Sequence, residues 1–253
     1  MITDTGFAIE TRGLCRSFGA HKAVHALDLT VKKGELFALL GVNGAGKTTT
    51  IRMLTCLLPP TAGEAFLMGH SVTKESHAVK ALTGISPQET AVAANLTVRE
   101  NLLLMAGLYG ADKPEATKKT EEMITRLGLF EAKDRRAGVL SGGMQRRLSI
   151  AMGLISRPAV LFLDEPTLGL DILARRELWQ LLRALRGETS IVLTTHYLEE
   201  AEALADRIGI MANGTLVATG TAAELCALSG TATFEDAFVK LATKNNTAGG
   251  DIA

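Results

Sequence analysis

The sequence predicts an α/β fold: a mostly parallel core sheet, an antiparallel β subdomain near its start, and an inserted α-helical subdomain. Three observations predict it. Residues 35–40 read as a short buried strand. This strand enters the glycine-rich octapeptide Gly41-Val42-Asn43-Gly44-Ala45-Gly46-Lys47-Thr48, and a helix over residues 49–58 follows, stopping at Pro59-Pro60. Residues 160–163 read as a second fully buried strand, ending in Asp164-Glu165. Between these lie residues 89–157, a long and mainly helical insertion.

Ahead of the octapeptide, residues 7–40 read as strands. In residues 26–31, Leu27, Leu29 and Val31 alternate with Asp28 and Thr30, the period of a half-buried antiparallel strand. Phe18 sits in a polar, glycine-bounded segment, where an aromatic ring either stacks on a base or packs under a loop. The octapeptide itself fits the pattern Gly, any four residues, Gly-Lys-Ser/Thr. A strand, a glycine-rich turn and a helix N-terminus make an anion site. Free backbone N–H groups and the positive end of the helix dipole both point at phosphate. Gly41, Asn43, Gly44, Ala45, Gly46, Lys47, Thr48 and Thr49 are therefore the expected nucleotide-phosphate contacts, with Lys47 on the β- and γ-phosphates and the Thr48 hydroxyl on Mg²⁺.

Beyond the octapeptide, residues 61–69 read as a turn and short strand. A modest helix lies near residues 76–82, and residues 85–88 form a buried strand ending in Gln88. Thr97 and Glu100 form a capping box, and Gly110 ends the apolar helix that follows. Pro114 fits the first turn of the next helix, and Gly128 its stop. Ser141-Gly142-Gly143 opens another helix, whose residues Met144, Leu148, Ala151 and Ile155 form one buried face, with Arg146 and Arg147 expected off it. The tripeptide reads either as a plain loop or as a second anion-binding helix start.

Asp164 and Glu165 stand at the C-terminal end of a central strand, where α/β proteins place their chemistry; Asp164 suits Mg²⁺ and Glu165 an attacking water. Asp171 is the expected N-cap of a helix over residues 172–185. Residues 190–194 form the next buried strand, and His196 follows its end as Gln88 and Glu165 follow theirs, so the three make one rim. An acidic helix over residues 197–205, a hairpin turning at Asn213-Gly214, a capping box at Thr221 and Glu224, and a helix over residues 233–241 complete the chain. A disordered tail is expected over residues 244–253.

Composition excludes several classes. At 253 residues the chain suits one large domain or two small lobes, and with 47% hydrophobic and 21% charged residues it is globular. Its 27 basic and 27 acidic side chains give no global basic field, so no nucleic acid partner is expected. Cys15, Cys56 and Cys226 lack metal or redox spacing and read as reduced, mostly buried thiols. Residues 1–6 lack the regions of a signal peptide, and the apolar run over residues 102–111 is shorter than the roughly 18 residues a membrane span needs.

Taken together over about residues 7–242, these elements closely resemble the ATP-binding subunit of an ABC transporter. Residues 41–48 match that family's Walker A, Gln88 its Q-loop and residues 140–147 its signature motif. Residues 160–165 match its Walker B, residues 168–171 its D-loop and His196 its switch histidine. Phe18 falls where the family carries an adenine-stacking aromatic, most often Tyr, and Met144 replaces the Gln that usually ends the signature.

The resemblance implies one ATPase domain over residues 1–243. Residues 7–88 and 158–220 would form its core with the antiparallel β subdomain, residues 89–157 its helical subdomain and residues 221–243 its C-terminal helices. ATP and Mg²⁺ are the implied cofactors. Glu165, His196 and Gln88 are the implied catalytic residues, and Thr48, Gln88 and Asp164 the implied metal ligands. The implied partners are a second nucleotide-binding subunit, in a head-to-tail homodimer with ATP at Ser141, Gly142 and Gly143 of the facing chain, and a transmembrane permease docked near Gln88 and residues 96–109. The implied location is cytoplasmic, peripheral on the inner face of the cell membrane. Residues 194–202, the signature ending and residues 233–238 resemble the subfamily serving ABC-2-type exporters, which favours export over import. The competing classes are an ABC-type ATPase with no transport role and a regulatory module with little hydrolysis. Glu165 and His196 argue against the second.

Overall fold

The computed structural model describes residues 6–243; the tail expected to be disordered lies outside the described residues. β1 (Phe7–Phe18) and β2 (His21–Lys32) form an antiparallel hairpin. The alternation read from sequence holds, with Leu27, Leu29 and Val31 buried and Asp28 exposed. β3 (Leu36–Leu40) is buried throughout and leads through the octapeptide to α1 (Lys47–Leu54). That helix ends one turn before the expected stop at the prolines. The Thr55 hydroxyl bonds back to the Ile51 carbonyl at 2.8 Å, Cys56 takes φ of 58°, and the Leu57 and Leu58 amides both return to the Arg52 carbonyl.

β4 (Ala62–Leu67) and β5 (His70–Ser71) extend the antiparallel sheet to the order β2-β1-β4-β5. α2 (Ser76–Ala81) and β6 (Thr83–Ser86) return the chain to the core. The insertion holds α3 (Val98–Leu108), α4 (Lys113–Arg126) and α5 (Gly142–Leu154). The Thr97–Glu100 capping box is formed, and Asp112 caps α4 with Pro114 in its first turn. Then follow β7 (Val160–Asp164), α6 (Ile172–Ala184) capped by Asp171, β8 (Ser190–Thr195), α7 (Leu198–Leu204), β9 (Arg207–Ala212), β10 (Thr215–Gly220), α8 (Ala222–Ser229) with its Thr221–Glu224 box, and α9 (Phe234–Thr243).

The second sheet runs β10-β9-β3-β8-β7-β6, parallel except for β10. Its central strands are apolar on both faces because both faces are covered. Leu36, Ala38 and Leu40 of β3 join a core with the helices of the insertion, α6, α7 and α9. Phe37 and Leu39, pointing the other way, join a core with α1 and the antiparallel sheet.

Two expectations are corrected. The spacing sets Arg146 off the buried face of α5, yet it is only 4% exposed, and Met144 is half-buried. Leu148, Ala151 and Ile155 do pack inward. The first turns of α5, however, also press against the segment after β6, whose carbonyls receive the arginine. The three cysteines, expected to be mostly buried, are free and half-buried. Cys15 of β1 sits against the Ala26 amide of β2, and Cys56, just past α1, against the Val72 carbonyl.

Candidate functional site

The C-terminal ends of β3, β8, β7 and β6 lie side by side, and each delivers one part of the site. The octapeptide leaves β3, His196 follows β8, Glu165 follows β7, and Gln88 lies just past β6. Gly44 and Gly46 take φ of 81° and 99°, conformations open to glycine at little cost. A Cβ on Gly41 would stand 2.4 Å from the Met211 carbonyl oxygen, so only a bare α-carbon fits there. The loop is braced from outside its own segment. The Gly41 amide donates to the Thr195 carbonyl, and the Gly214 amide donates to the Ala45 carbonyl. The Gly214 carbonyl in turn accepts the His25 amide of β2 at 2.7 Å.

Lys47 is buried. Its ammonium donates to the Gly41 and Val42 carbonyls at 2.7 and 3.2 Å and lies 3.4 Å from a Glu165 carboxylate oxygen. The other Glu165 oxygen meets His196 Nδ1 at 2.8 Å. Glu165 itself has φ of 49°, a strained value for a residue with a side chain. Its amide is pinned by the Thr194 carbonyl and hydroxyl, both at 3.1 Å. Asp164 pairs with Thr194 across the parallel ladder and accepts both the Thr194 and Thr48 hydroxyls.

A cavity of about 450 Å³ gathers these groups. Phe18, Asn43, Gly44, Ala45, Gly46, Lys47, Thr48, Thr49, Gln88, Glu165 and His196 all line it. Gly41 lies buried beneath the loop. Asp164 lines an adjoining cleft with Thr48 and Gln88. The donors of Thr48, Gln88 and Asp164 are all hard oxygens, of the kind Mg²⁺ takes together with substrate phosphates. Among the described residues no group of three His, Cys, Asp or Glu side chains forms a metal cage of its own. The three oxygens fit Mg²⁺.

Ser141, Gly142 and Gly143 are not brought to this cavity. Ser141 caps α5, accepting the Met144 amide, and is exposed. The two glycines pack beside the turn that follows Glu165, with Leu170 and Ala174 as neighbours. On that same turn and helix start, Ile172 and Leu173 are 68% and 73% exposed.

Sequence reasoning missed several supports of the site. Arg146 donates to the Pro87 and Gln88 carbonyls at 2.6 Å each and so ties α5 to the Gln88 turn. Burial pulls its pKa down, opposed by the charges of Asp164 and Glu200. Arg16 lies over the Phe18 ring at 4.6 Å and donates to the Pro59 carbonyl. In sequence Thr194 is simply the last residue of a buried strand. Its bond to Asp164 follows from strand order, which no local pattern states. Nothing in the sequence singles out Glu200 within the acidic helix over residues 197–205, yet it is wholly buried.

Residues 24–168 match the family model described as ABC transporter. The chain belongs to the ABC transporter family. It is 45% identical over 226 residues to the daunorubicin/doxorubicin resistance ATP-binding protein DrrA of Streptomyces peucetius, an alignment covering 89% of this chain and 68% of that protein. It is 43% identical over 199 residues to the phospholipid-transporting ATPase ABCA3 of Homo sapiens, covering 79% of this chain and 12% of that much longer protein. Among solved structures, an ATP-binding subunit of an ABC transporter superposes with a TM-score of 0.82 at 27% identity, covering 92% of this chain and 99% of that one. The α/β fold with its two sheets is the fold of that cassette. The chain is thus an ATP-binding cassette of the transporter type. No helix among its described residues is long and apolar enough to cross a membrane.

Proposed function

We propose that this cassette binds ATP with Mg²⁺, hydrolyses it, and powers export through a separate transmembrane permease, docked on the inner face of the cell membrane. One observation carries the reading. The phosphate loop, Lys47, Gln88, Glu165 and His196 converge on one cavity, while the second anion-binding helix start at Ser141 stands outside it. A single chain has no use for both on one nucleotide. Two chains arranged head to tail do, each offering Ser141, Gly142 and Gly143 to the ATP on the other's phosphate loop. The exposed Ile172 and Leu173 beside α5 would then be covered.

In this mechanism Phe18 stacks on the adenine while the octapeptide amides and Lys47 take the phosphates. Glu165 accepts a hydrogen bond from the attacking water and aims it at the γ-phosphorus. His196, held to Glu165 through Nδ1, keeps that carboxylate oriented and meets the γ-phosphate. Thr48, Gln88 and Asp164 would hold Mg²⁺, which would supply positive charge to offset that on the phosphates. Contacts from the facing Ser141 exist only while the γ-phosphate is present, which gives ATP its differential affinity for the closed pair. Gln88 and the Arg146-tethered turn pass closure to the permease. The drug-resistance relative supports export. Since a comparably similar relative is named for phospholipid, the cassette itself does not select the cargo.

The test has two parts. Glu165→Gln with ATP and Mg²⁺ should accumulate as a dimer by light scattering and show no phosphate release. Turnover at the parent rate would overturn the hydrolytic assignment. The tagged chain, recovered from gently solubilised membranes, should carry a stoichiometric polytopic protein. Recovery with ribosomes or nucleic acid instead would replace the transport role with a non-transport ATPase.

A further inference from the structure

Glu200 lies on α7, four residues past His196, with no exposed surface. One carboxyl oxygen accepts the Trp179 indole N–H at 3.3 Å. The other is buried with no hydrogen-bond partner, and so is the Thr167 hydroxyl, two residues past Glu165. The Thr167 and Thr195 hydroxyls both lie beside the carboxyl. Four segments therefore meet at this one side chain: α7, the turn after Glu165, α6 through Trp179, and the end of β8.

A buried carboxylate is costly, and a leucine of similar bulk would pack here more cheaply. The arrangement suits the neutral acid, which can accept from Trp179 and donate through its own O–H. Burial and the nearby charge of Glu165 both push Glu200 above the ordinary carboxyl range, against the hydroxyls and the indole.

We propose that Glu200 is a positioning residue for hydrolysis, holding α7 and the Thr167 turn in register so that His196 and Glu165 keep their contact. The inference rests on the hydrolytic reading above. His196 and Glu165 reach their 2.8 Å contact from the ends of β8 and β7, and Glu200 and Thr167 follow them by four and two residues. Small misplacements of such groups have large effects on rate, on the order of a hundredfold per ångström.

The test compares Glu200→Gln, Glu200→Leu and Thr167→Val in the full chain, reading kcat, KM, ATP affinity and Tm. Glu200→Gln keeps an acceptor and a donor at the same volume and should stay within about threefold of the parent kcat. Glu200→Leu should lose about thirtyfold in kcat with ATP affinity unchanged and Tm equal or higher, since an apolar side chain replaces a buried acid. That split between turnover and stability is what a merely structural residue would not give. Parent-like turnover in Glu200→Leu, or equal losses in the Gln and Leu variants, would overturn the proposal. If Glu200→Leu fails to fold, Thr167→Val decides. Slower turnover with normal ATP binding supports the proposal, and parent-like turnover overturns it. A parent chain that hydrolyses no ATP would bring down the hydrolytic reading and this inference together, whereas an active parent with an unaffected Leu variant brings down only this one.

Discussion

Removing the Glu165 charge should tighten ATP binding. In the structure Lys47 and Glu165 stand 3.4 Å apart with side chains 6% and 7% exposed. At an effective dielectric of about 20 that separation corresponds to an attraction of about 5 kcal/mol before desolvation. The net value is smaller, because neither partner depends on the other alone. Lys47 also has the Gly41 and Val42 carbonyls, and Glu165 also has His196. Breaking a buried pair that strands a charge costs about 3–5 kcal/mol, so a pair with such fallbacks should contribute about 1–2 kcal/mol.

Phosphate must draw Lys47 away from this pair, so the bound state gives up what the empty state holds. Glu165→Gln removes the pair from the empty protein only. Its empty form should lose about 1–2 kcal/mol of stability, and its affinity for ATP should rise by the same amount, roughly tenfold at 1.4 kcal/mol. Loss of a negative charge near the triphosphate acts in the same direction. Calorimetric titration of ATP into dilute protein, with denaturant unfolding of the empty form, measures both terms. The gain should persist in 0.3 M salt, on the order of physiological strength or above, because a buried pair is poorly screened. Equal or weaker ATP binding by a folded Glu165→Gln variant would refute the reasoning.

Other expectations follow from the same contacts. Arg146→Met should cost about 2–4 kcal/mol in urea unfolding, because the Pro87 and Gln88 carbonyls lose a charged donor; it should also speed amide exchange around Gln88. Phe18→Ala should weaken ATP binding by about 1–2 kcal/mol through lost stacking, while Phe18→Tyr should leave affinity unchanged. Gly41→Ala places a methyl 2.4 Å from the Met211 carbonyl oxygen and should abolish nucleotide binding or folding; Gly107→Ala meets nothing within 4 Å inside α3 and should raise stability by about 0.5–1 kcal/mol. Glu200 has a raised folded pKa, so the folded state holds the extra proton and stability should decline as pH rises above the unfolded value of 4.5 and through the folded pKa. In pH-dependent unfolding, Glu200→Gln should remove that decline.

What the sequence made legible was local chemistry. The octapeptide between a buried strand and a helix, the Asp164-Glu165 pair at a strand end, and the Thr97 and Thr221 capping boxes are each written within a few neighbouring residues. Placing Gln88, Glu165 and His196 on one rim needed only the rule that ligands gather at the ends of parallel strands. The unread parts depend on through-space partners. Helical spacing puts Arg146 off the one packed face it describes, and α5 has a second. Nor does local pattern pick out Glu200 as the buried acid of α7, since its acidic neighbours Glu199 and Glu202 face solvent. The early end of α1 lies where Cys56 takes a left-handed φ and the Leu57 and Leu58 amides turn back to the Arg52 carbonyl, a stop less conspicuous than Pro59-Pro60.

The Gly214 turn has a consequence for how the protein is made. Its amide and carbonyl join the phosphate loop to β2, yet it belongs to the hairpin of β9 and β10, late in the chain. At roughly 5–20 residues per second, a ribosome finishes the octapeptide on the order of ten to thirty seconds before it reaches this turn. Through that interval the nascent chain carries the whole phosphate-binding motif without its brace. Translation thus sets a delay between writing the motif and completing the site, and a chain released early would carry the motif without the finished nucleotide pocket.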